Sequence, residues 1–280
     1  MYTKDFSRRS LLRGAGSALA ITSLQAMEEE PESYGVGALL DGSGVVAIRA
    51  GEFWMGSEDG HPDGRPVHRV RLGAFEMSKF EVTQSQWKTV MMDPHSKAGE
   101  ARPTPQGHTV GSDPSHFKDP FLPVDSVSWD DIAVFLKRLN ARDGKHTWRL
   151  PTEAEWEYAS RAGTTGDDPQ MLPATAWHKS NSGERTHQVG QKQANSWGLY
   201  DMDGNVSEWV ADWYGHDYYA ESPAANPIGP EEGSYRVYRG GCWFDNADLC
   251  SATLRRFDFP VSRFYNVGFR LVRSAGSGRS

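Results

Sequence analysis

The sequence predicts a single α+β domain in which much of the chain lacks regular secondary structure. Short alternating apolar runs predict strands and capped apolar faces predict helices, while 29 glycines and 16 prolines in 280 residues predict many turns. No linker divides the body of the chain, and no repeat of solenoid or propeller length occurs in it. We therefore expect one domain over residues 45–274.

Strands are predicted near the start and the end of this domain. The run Val45–Ile48 and the segment Gly51–Gly56 are short and largely apolar, and Val67–Leu72 alternates as a half-buried strand does. Two further short strands are predicted at Tyr235–Tyr238 and Val267–Val272.

Three helices are predicted from side chains that can cap their first turns. Thr83 and Gln86 form a capping box, and the segments Ser128–Asp131 and Thr152–Glu155 show the same pattern. The second and third helices each have an apolar face that predicts burial. These faces contain Ile132, Phe135, Leu136 and Leu139 in the second helix, and Trp156 and Ala159 in the third.

Residues 91–123 show no periodicity and contain several prolines. A stretch of this length without a pattern is typical of a functional loop or a disordered insertion. After Gly163 the chain also becomes rich in loops, and Gly240-Gly241 predicts a tight strand connection with a close backbone approach.

Composition excludes several classes of protein. The net charge is −7 and no basic run is present, which argues against nucleic-acid binding. No apolar stretch is long enough for a helical membrane span. Two cysteines exclude a disulfide scaffold and a four-cysteine zinc site. We expect a monomer.

The N-terminus predicts an export signal. Residues Ser7–Arg13 form a twin-arginine pattern, the apolar run 14–24 follows, and Ala26 is the expected last residue removed. We interpret residues 1–26 as a twin-arginine signal, 27–44 as a flexible tether and 275–280 as a tail; the alternative for the first segment is a frayed helix. The twin-arginine export machinery would deliver the protein to the periplasm, where thiols can oxidise.

Several motifs, in order along residues 45–273, resemble those of the formylglycine-generating enzyme family, also called sulfatase-modifying factors. The resemblance implies a compact fold related to C-type lectins with little regular secondary structure. Members include enzymes that oxidise a sulfatase cysteine with oxygen and copper, a periplasmic oxidase of siderophore maturation, and non-catalytic binding modules. The motifs are Gly51–Ser57, Glu81–Thr83, Pro123–Trp129, Arg149–Glu157, Gly198–Trp209, Arg239–Gly241 and Asn266–Arg270.

The resemblance places the two copper-binding cysteines of the family at positions 245 and 250. Here Cys250 matches the second, Asp245 replaces the first, and Cys242 stands where the family commonly has serine. A thiolate beside a carboxylate is a poor copper(I) site. Three interpretations stay open for Cys242 and Cys250: a rearranged two-thiolate copper or redox site, a structural disulfide, or two separate buried thiols.

The resemblance also implies structural calcium. Asp201, Gly204, Val206 and Glu208 match positions that supply two side-chain ligands and two backbone carbonyls in the family, which suits a Ca²⁺ ion. A capped turn with solvated acids is the alternative. A second family site would use Asn181 and the carbonyl of Ser182.

Other candidate residues have simpler interpretations. We expect His61, His68 and His116 to be surface or hydrogen-bonded residues rather than metal ligands. Five tryptophans could form a sugar-binding platform, although core packing is the better interpretation for most of them. Four arginines could line a groove for an acidic ligand or could pair with acids. These residues are Trp129, Trp156, Trp197, Trp209 and Trp243, and Arg255, Arg256, Arg263 and Arg270.

The sequence thus predicts oxidative maturation or tailoring of a periplasmic peptide or protein substrate, such as a siderophore precursor, rather than sulfatase activation. Cys250 would be the reactive thiol, Cys242 its partner, and Asp245 a nearby acid or hydrogen-bond acceptor. The alternative is a non-catalytic accessory protein that assists assembly of a periplasmic metalloenzyme or a cell-envelope system.

Overall fold

The computed structural model of the protein describes residues 34–92, 111–165 and 170–274. These residues belong to one compact unit. The predicted signal over 1–26, the first part of the predicted tether and the tail over 275–280 lie outside the described residues, as do residues 93–110 of the predicted loop. No helix in the described part of the chain is long and apolar enough to cross a membrane.

The unit contains short helices and strands joined by long irregular segments. The helices are α1 Val36–Asp41, α2 Gln84–Met91, α3 Trp129–Asp143, α4 Glu153–Arg161, α5 Leu172–Thr175 and α6 Tyr218–Glu221. The strands are β1 Val45–Ile48, β2 Gly51–Met55, β3 His68–Leu72, β4 Phe75–Ser78, β5 Trp148–Arg149, β6 Ser207–Trp213, β7 Arg236–Arg239, β8 Arg255–Asp258, β9 Val267–Gly268 and β10 Val272–Ser274. Two 3₁₀ turns occupy Pro62–Gly64 and Ala247–Leu249.

The strands form three sheets. The first has the order β1-β4-β10-β5, and Met77 of β4 lies opposite Val272 of β10 in an antiparallel register. The second is the hairpin β2-β3. The third has the order β8-β7-β6-β9, in which β6 and β9 run parallel. This mixture of helices with small sheets confirms the α+β prediction.

Large rings fill two parts of the core. In one, the rings of Trp87 on α2 and Phe135 on α3 stack with centroids 5.2 Å apart, and Phe269 packs edge-on against both. In the other, Trp156 of α4 packs with Met77 and other apolar residues of the sheets. Burial of such rings supplies much of the driving force for folding.

The three predicted helix starts are confirmed. The hydroxyls of Thr83, Ser128 and Thr152 each accept a hydrogen bond from the backbone N–H three residues on. In return, the backbone N–H of each cap residue donates to the side-chain oxygen of that third residue. On α3, Ile132, Phe135 and Leu139 are buried as predicted, while Leu136 is half-buried. Trp156 and Ala159 of α4 are fully buried.

The prediction of a tether over 27–44 is wrong for its second half. Residues Val36–Asp41 form α1, and Val36 and Leu39 are buried in the same cluster as Trp87. The segment is Gly-rich, but its apolar residues recur at helical spacing and find a surface on α2.

The predicted strand over 267–272 is interrupted. Val267–Gly268 pairs with β6, whereas Val272–Ser274 pairs with β4 and β5, so the chain passes from one sheet to another between them. The crossing residue Arg270 is fully buried against Glu208. A buried ion pair between sheets cannot be recognised from strand periodicity.

Candidate functional site

The loop after β7 brings the predicted thiols and acid together. Gly240 adopts φ +74°, and Gly241 lies so close to Cys250 that an added Cβ would be 2.4 Å from its Sγ. Cys242 donates its thiol proton to Asp245 Oδ2 over 3.0 Å, and the Cys242 backbone N–H donates to the same oxygen at 3.0 Å. Asp245 therefore closes the turn that places Cys242.

The carboxylate of Asp245 forms an ion pair with Arg256. Its oxygens accept hydrogen bonds from both terminal nitrogens of Arg256, at 2.7 Å and 2.9 Å. Asn266 Nδ2 donates to Cys242 Sγ at 3.4 Å. A carboxylate held in this two-pronged ion pair is a structural anchor rather than a free acid.

Both thiols are buried and protonated. Burial, followed by the charge of Asp245, raises the pKa of Cys242 to about 12. Burial also raises the pKa of Cys250, with added repulsion from Asp245 and Cys242. Neither cysteine is in a disulfide. The structure thus fits the interpretation of two reduced, buried thiols better than that of an activated thiolate site.

A cavity of about 550 Å³ lies beside Cys250. Among the residues that the structure describes, four aspartates, one arginine and several apolar side chains line it. The arginine, Arg161, is buried and its guanidinium pairs with Glu157 at 2.9 Å, so the carboxylates dominate the charge of the cavity. The aspartates are Asp59, Asp201, Asp203 and Asp248, and the apolar residues include Met171, Leu172, Leu199 and Met202.

Of the predicted calcium residues, Asp201 lines this cavity, and its carboxylate is repelled by that of Glu208. Asp201 has φ +57° and is 2% exposed, and its Oδ2 accepts the Gly190 N–H at 2.7 Å while Oδ1 is buried without a hydrogen bond. Glu208 accepts from Arg270 at 2.7 Å on each oxygen and from Trp156 Nε1 at 2.8 Å. The two acids are close enough to interact, but Glu208 is also held by protein donors.

No three His, Cys, Asp or Glu side chains within 34–92, 111–165 and 170–274 are arranged as a metal-ligand group. The predicted set has only two carboxylates and relies on the carbonyls of Gly204 and Val206 for the rest. The orphaned Asp201 oxygen is the feature that fits a cation here.

The residues of the second predicted site are engaged in local contacts. Asn181 Oδ1 accepts the His178 N–H at 2.8 Å and Asn181 Nδ2 donates to the Ala176 carbonyl at 3.0 Å. The Ser182 carbonyl contacts His187 Nε2 at 2.6 Å. These bonds account for the turn without an ion.

Glu81 was missed by the sequence reasoning. It lies in the Glu81–Thr83 motif, is 1% exposed, and bonds the loop that carries Gly204 and Val206. Its motif was visible in the sequence, but an acid before a helix cap gives no sign that it is buried against a loop far along the chain.

The candidate histidines, tryptophans and arginines have structural roles, as their simpler interpretations predicted. His68 contacts the Pro66 carbonyl, His116 packs against Phe117 and Tyr265, and His61 is exposed. Trp156, Trp209 and Trp243 are buried, and Trp129 and Trp197 are half-buried, so they form no exposed platform. All four arginines pair with acids: Arg255 with Glu153, Arg256 with Asp245, Arg263 with Asp131 and Arg270 with Glu208.

Comparison with known sequences agrees with this arrangement of motifs. The profile of the sulfatase-modifying factor enzyme 1-like domain matches residues 37–275. The chain belongs to the formylglycine-generating enzyme family. A formylglycine-generating enzyme from Streptomyces coelicolor is 31% identical over 83% of this chain and 90% of that protein.

Two other relatives show how widely the domain is used. A serine/threonine-protein kinase pkn1 from Chlamydia caviae is 32% identical over 88% of this chain, which spans only 40% of that relative's length. The solved structure of PvdO from Pseudomonas aeruginosa superposes with a TM-score of 0.72 and 27% identity, over 82% of this chain and 94% of that one. The family therefore fixes the fold of this chain more firmly than its chemistry.

Proposed function

We propose that this family member is an exported, non-catalytic accessory protein that binds a cationic ligand in the cavity beside Cys250. The observation that carries the proposal is the acidic lining of the cavity, whose one arginine is already paired with Glu157. Charge complementarity of this kind selects and steers a positively charged ligand. The twin-arginine pattern supports a periplasmic partner.

The state of the thiols supports a binding role over thiol chemistry. Copper(I) and redox reactions use the thiolate, and burial together with Asp245 disfavours it at both cysteines. Asp245 stands at the position of the family's first catalytic cysteine. Both of its oxygens accept hydrogen bonds from Arg256.

The ligand proposal is tested with fluorescein-labelled hexa-arginine in 0.15 M NaCl, followed by fluorescence anisotropy. The double variant Asp59→Asn/Asp248→Asn removes two exposed carboxylates from the cavity lining. We expect it to weaken binding about tenfold. The matched control Glu231→Gln/Glu232→Gln removes two exposed acids elsewhere and should change the affinity less than about twofold.

Equal weakening in both double variants would mean general attraction to an acidic chain and would contradict a cavity site. Absence of binding by the unmodified protein would contradict it as well. Hexa-glutamate serves as the probe of opposite charge and should not bind.

A second candidate, oxidative tailoring of a peptide or siderophore precursor, is favoured by one observation. Cys250 lines the cavity, and Cys242 is close enough to raise its pKa. A Cu(I) titration of the reduced protein beside Cys242→Ser and Cys250→Ser separates the two candidates. Our proposal expects no tight one-to-one binding that depends on both thiols; such binding would favour the oxidase.

We also propose a structural calcium ion held by Asp201, Glu208 and the carbonyls of Gly204 and Val206. The supporting observation is the buried Asp201 oxygen without a hydrogen bond. Bound there, the ion would neutralise carboxylates and fix loops that have few regular backbone hydrogen bonds.

A further inference from the structure

Glu81 holds the loop that carries two of the proposed calcium ligands. Its Oε2 accepts a hydrogen bond from Asn205 Nδ2 at 2.8 Å, and its Oε1 accepts one from the Val206 N–H at 3.1 Å. Asn205 sits between Gly204 and Val206, is fully buried, and has φ +64°, a conformation that costs free energy for a residue with a side chain. The two bonds to Glu81 therefore stabilise a turn that the backbone alone would not favour.

The same turn is held from its other side. Asn205 Oδ1 accepts the His187 N–H at 2.9 Å, and the Asn205 backbone joins the Trp177 carbonyl and the Trp243 N–H. These contacts fix where the turn lies in the fold. Glu81 is distinct among them because it bonds both the Asn205 side chain and the Val206 backbone, so it sets how Asn205 and Val206 are oriented relative to each other.

Three buried acids lie around the turn. Glu81, Asp201 and Glu208 are each at most 2% exposed, and they repel one another. Arg270 is the fully buried cation beside them and pairs with Glu208, while Lys192 attracts Asp201 from the surface. A divalent cation bound at Asp201 would offset this repulsion.

We propose that Glu81 is a positioning residue for a divalent cation at Asp201: it shapes the Gly204–Val206 turn so that the two carbonyls can serve as ligands. The inference rests on the calcium ion proposed above and adds a residue outside that ligand set. Residues that orient metal ligands in this way commonly change metal affinity 10- to 100-fold when they are replaced.

The test measures Ca²⁺ affinity of the chelator-treated protein by competition with a chromophoric chelator, together with thermal unfolding in EGTA and in 1 mM CaCl₂. Glu81→Gln keeps the size of the side chain but replaces one acceptor oxygen with a donor. We expect its Kd for Ca²⁺ to rise at least about tenfold. Its gain in Tm on adding Ca²⁺ should shrink accordingly, because that gain depends on the ratio of ligand concentration to Kd.

Two further variants make the result specific. Glu76→Gln removes a half-buried carboxylate that pairs with Arg273 in the first sheet, and it should leave the Kd unchanged. Glu81→Asp keeps the charge but shortens the reach, so it should also weaken binding. It remains informative if Glu81→Gln fails to fold.

Each outcome decides one point. A Kd in Glu81→Gln equal to that of the unmodified protein would overturn the positioning role while leaving the ion in place. So would an equal fall of Tm with and without Ca²⁺, or full affinity in Glu81→Asp, since that would show that charge alone matters. No Ca²⁺ binding by the unmodified protein would overturn both the ion and the role of Glu81.

Discussion

At the scale of single residues, Asp125 shows how burial makes a carboxylate sensitive to pH. It is fully buried, its Oδ1 accepts from the His116 N–H at 2.9 Å and the Ser126 hydroxyl at 2.8 Å, and its Oδ2 has no hydrogen bond. Burial raises the pKa of Asp125 from 3.8 to about 6 despite these bonds. The folded state thus binds a proton more tightly than the unfolded state, so Asp125 costs stability as pH rises from about 4 to about 6.

Asp125→Asn should remove this pH dependence, because an amide keeps an acceptor oxygen for both donors and cannot ionise. We expect the unfolding free energy of the variant, relative to the unmodified protein, to improve by about 2 kcal/mol between pH 4 and pH 7. Urea unfolding at several pH values measures the difference. The test is how the difference in unfolding free energy between the two proteins changes with pH, because the cost of the new buried amide is the same at every pH. If the unfolding free energies of the two proteins changed with pH in parallel, the prediction would be contradicted.

At the scale of elements, what could be predicted depended on the distance along the chain between interacting residues. The starts of α2, α3 and α4 were predictable because each capping box joins residues only three apart. The bond of Glu81 to Asn205 spans 124 positions, so no local pattern could reveal it. The packing of α1 was missed for the same reason, since its burial depends on a partner surface on α2.

Replacing glycine by alanine should change the stability of the protein in opposite directions at Gly241 and Gly37. A Cβ at Gly241, after β7, would lie 2.4 Å from Cys250 Sγ and 2.7 Å from Cys250 Cα, and backbone cannot move aside cheaply. Gly37 lies inside α1 and has open space around it. Gly241→Ala should therefore lose at least about 2 kcal/mol of stability, and Gly37→Ala should gain about 0.5–1 kcal/mol.

Urea unfolding of both glycine variants at pH 7 measures these changes. Gly37→Ala is also the control for helix formation in residues 36–41, since a residue in a flexible tether would show no such gain. A tolerated Gly241→Ala would contradict the close packing of the cysteine loop against Cys250.

At the scale of the whole molecule, buried ion pairs connect elements that are distant in the sequence. Glu153 at the start of α4 accepts from Arg239 of β7 at 2.6 Å and from Arg255 of β8 at 2.7 Å. Glu157, one turn later, accepts from Arg239 at 2.6 Å and from Arg161 at 2.9 Å. These side chains are at most 5% exposed, so the network fastens α4 to the third sheet beneath the cysteine loop.

Glu153→Gln should weaken the attachment of α4 to the third sheet. It removes a negative charge that pairs with two buried guanidinium groups. Burial alone would raise the pKa of Glu153, but Arg255 and Arg239 outweigh it and the pKa is lowered. Its stabilisation is therefore present above the unfolded pKa near 4.5 and is lost as pH falls through the lowered folded value. At pH 7 we expect a loss of about 3–5 kcal/mol, since removing one member of a buried pair strands its partner.

The matched control is Glu155→Gln on the same helix, whose partner Arg149 is 40% exposed and whose side chain completes the helix cap. Its loss should be about 1 kcal/mol. Urea unfolding at pH 7 and at pH 3 distinguishes an effect of charge from an effect of shape. The stability deficit of Glu153→Gln must narrow at pH 3, because Glu153 of the unfolded chain is protonated there and the unmodified protein loses stability. A deficit that stays constant with pH would mean that shape rather than charge holds α4 to the sheet.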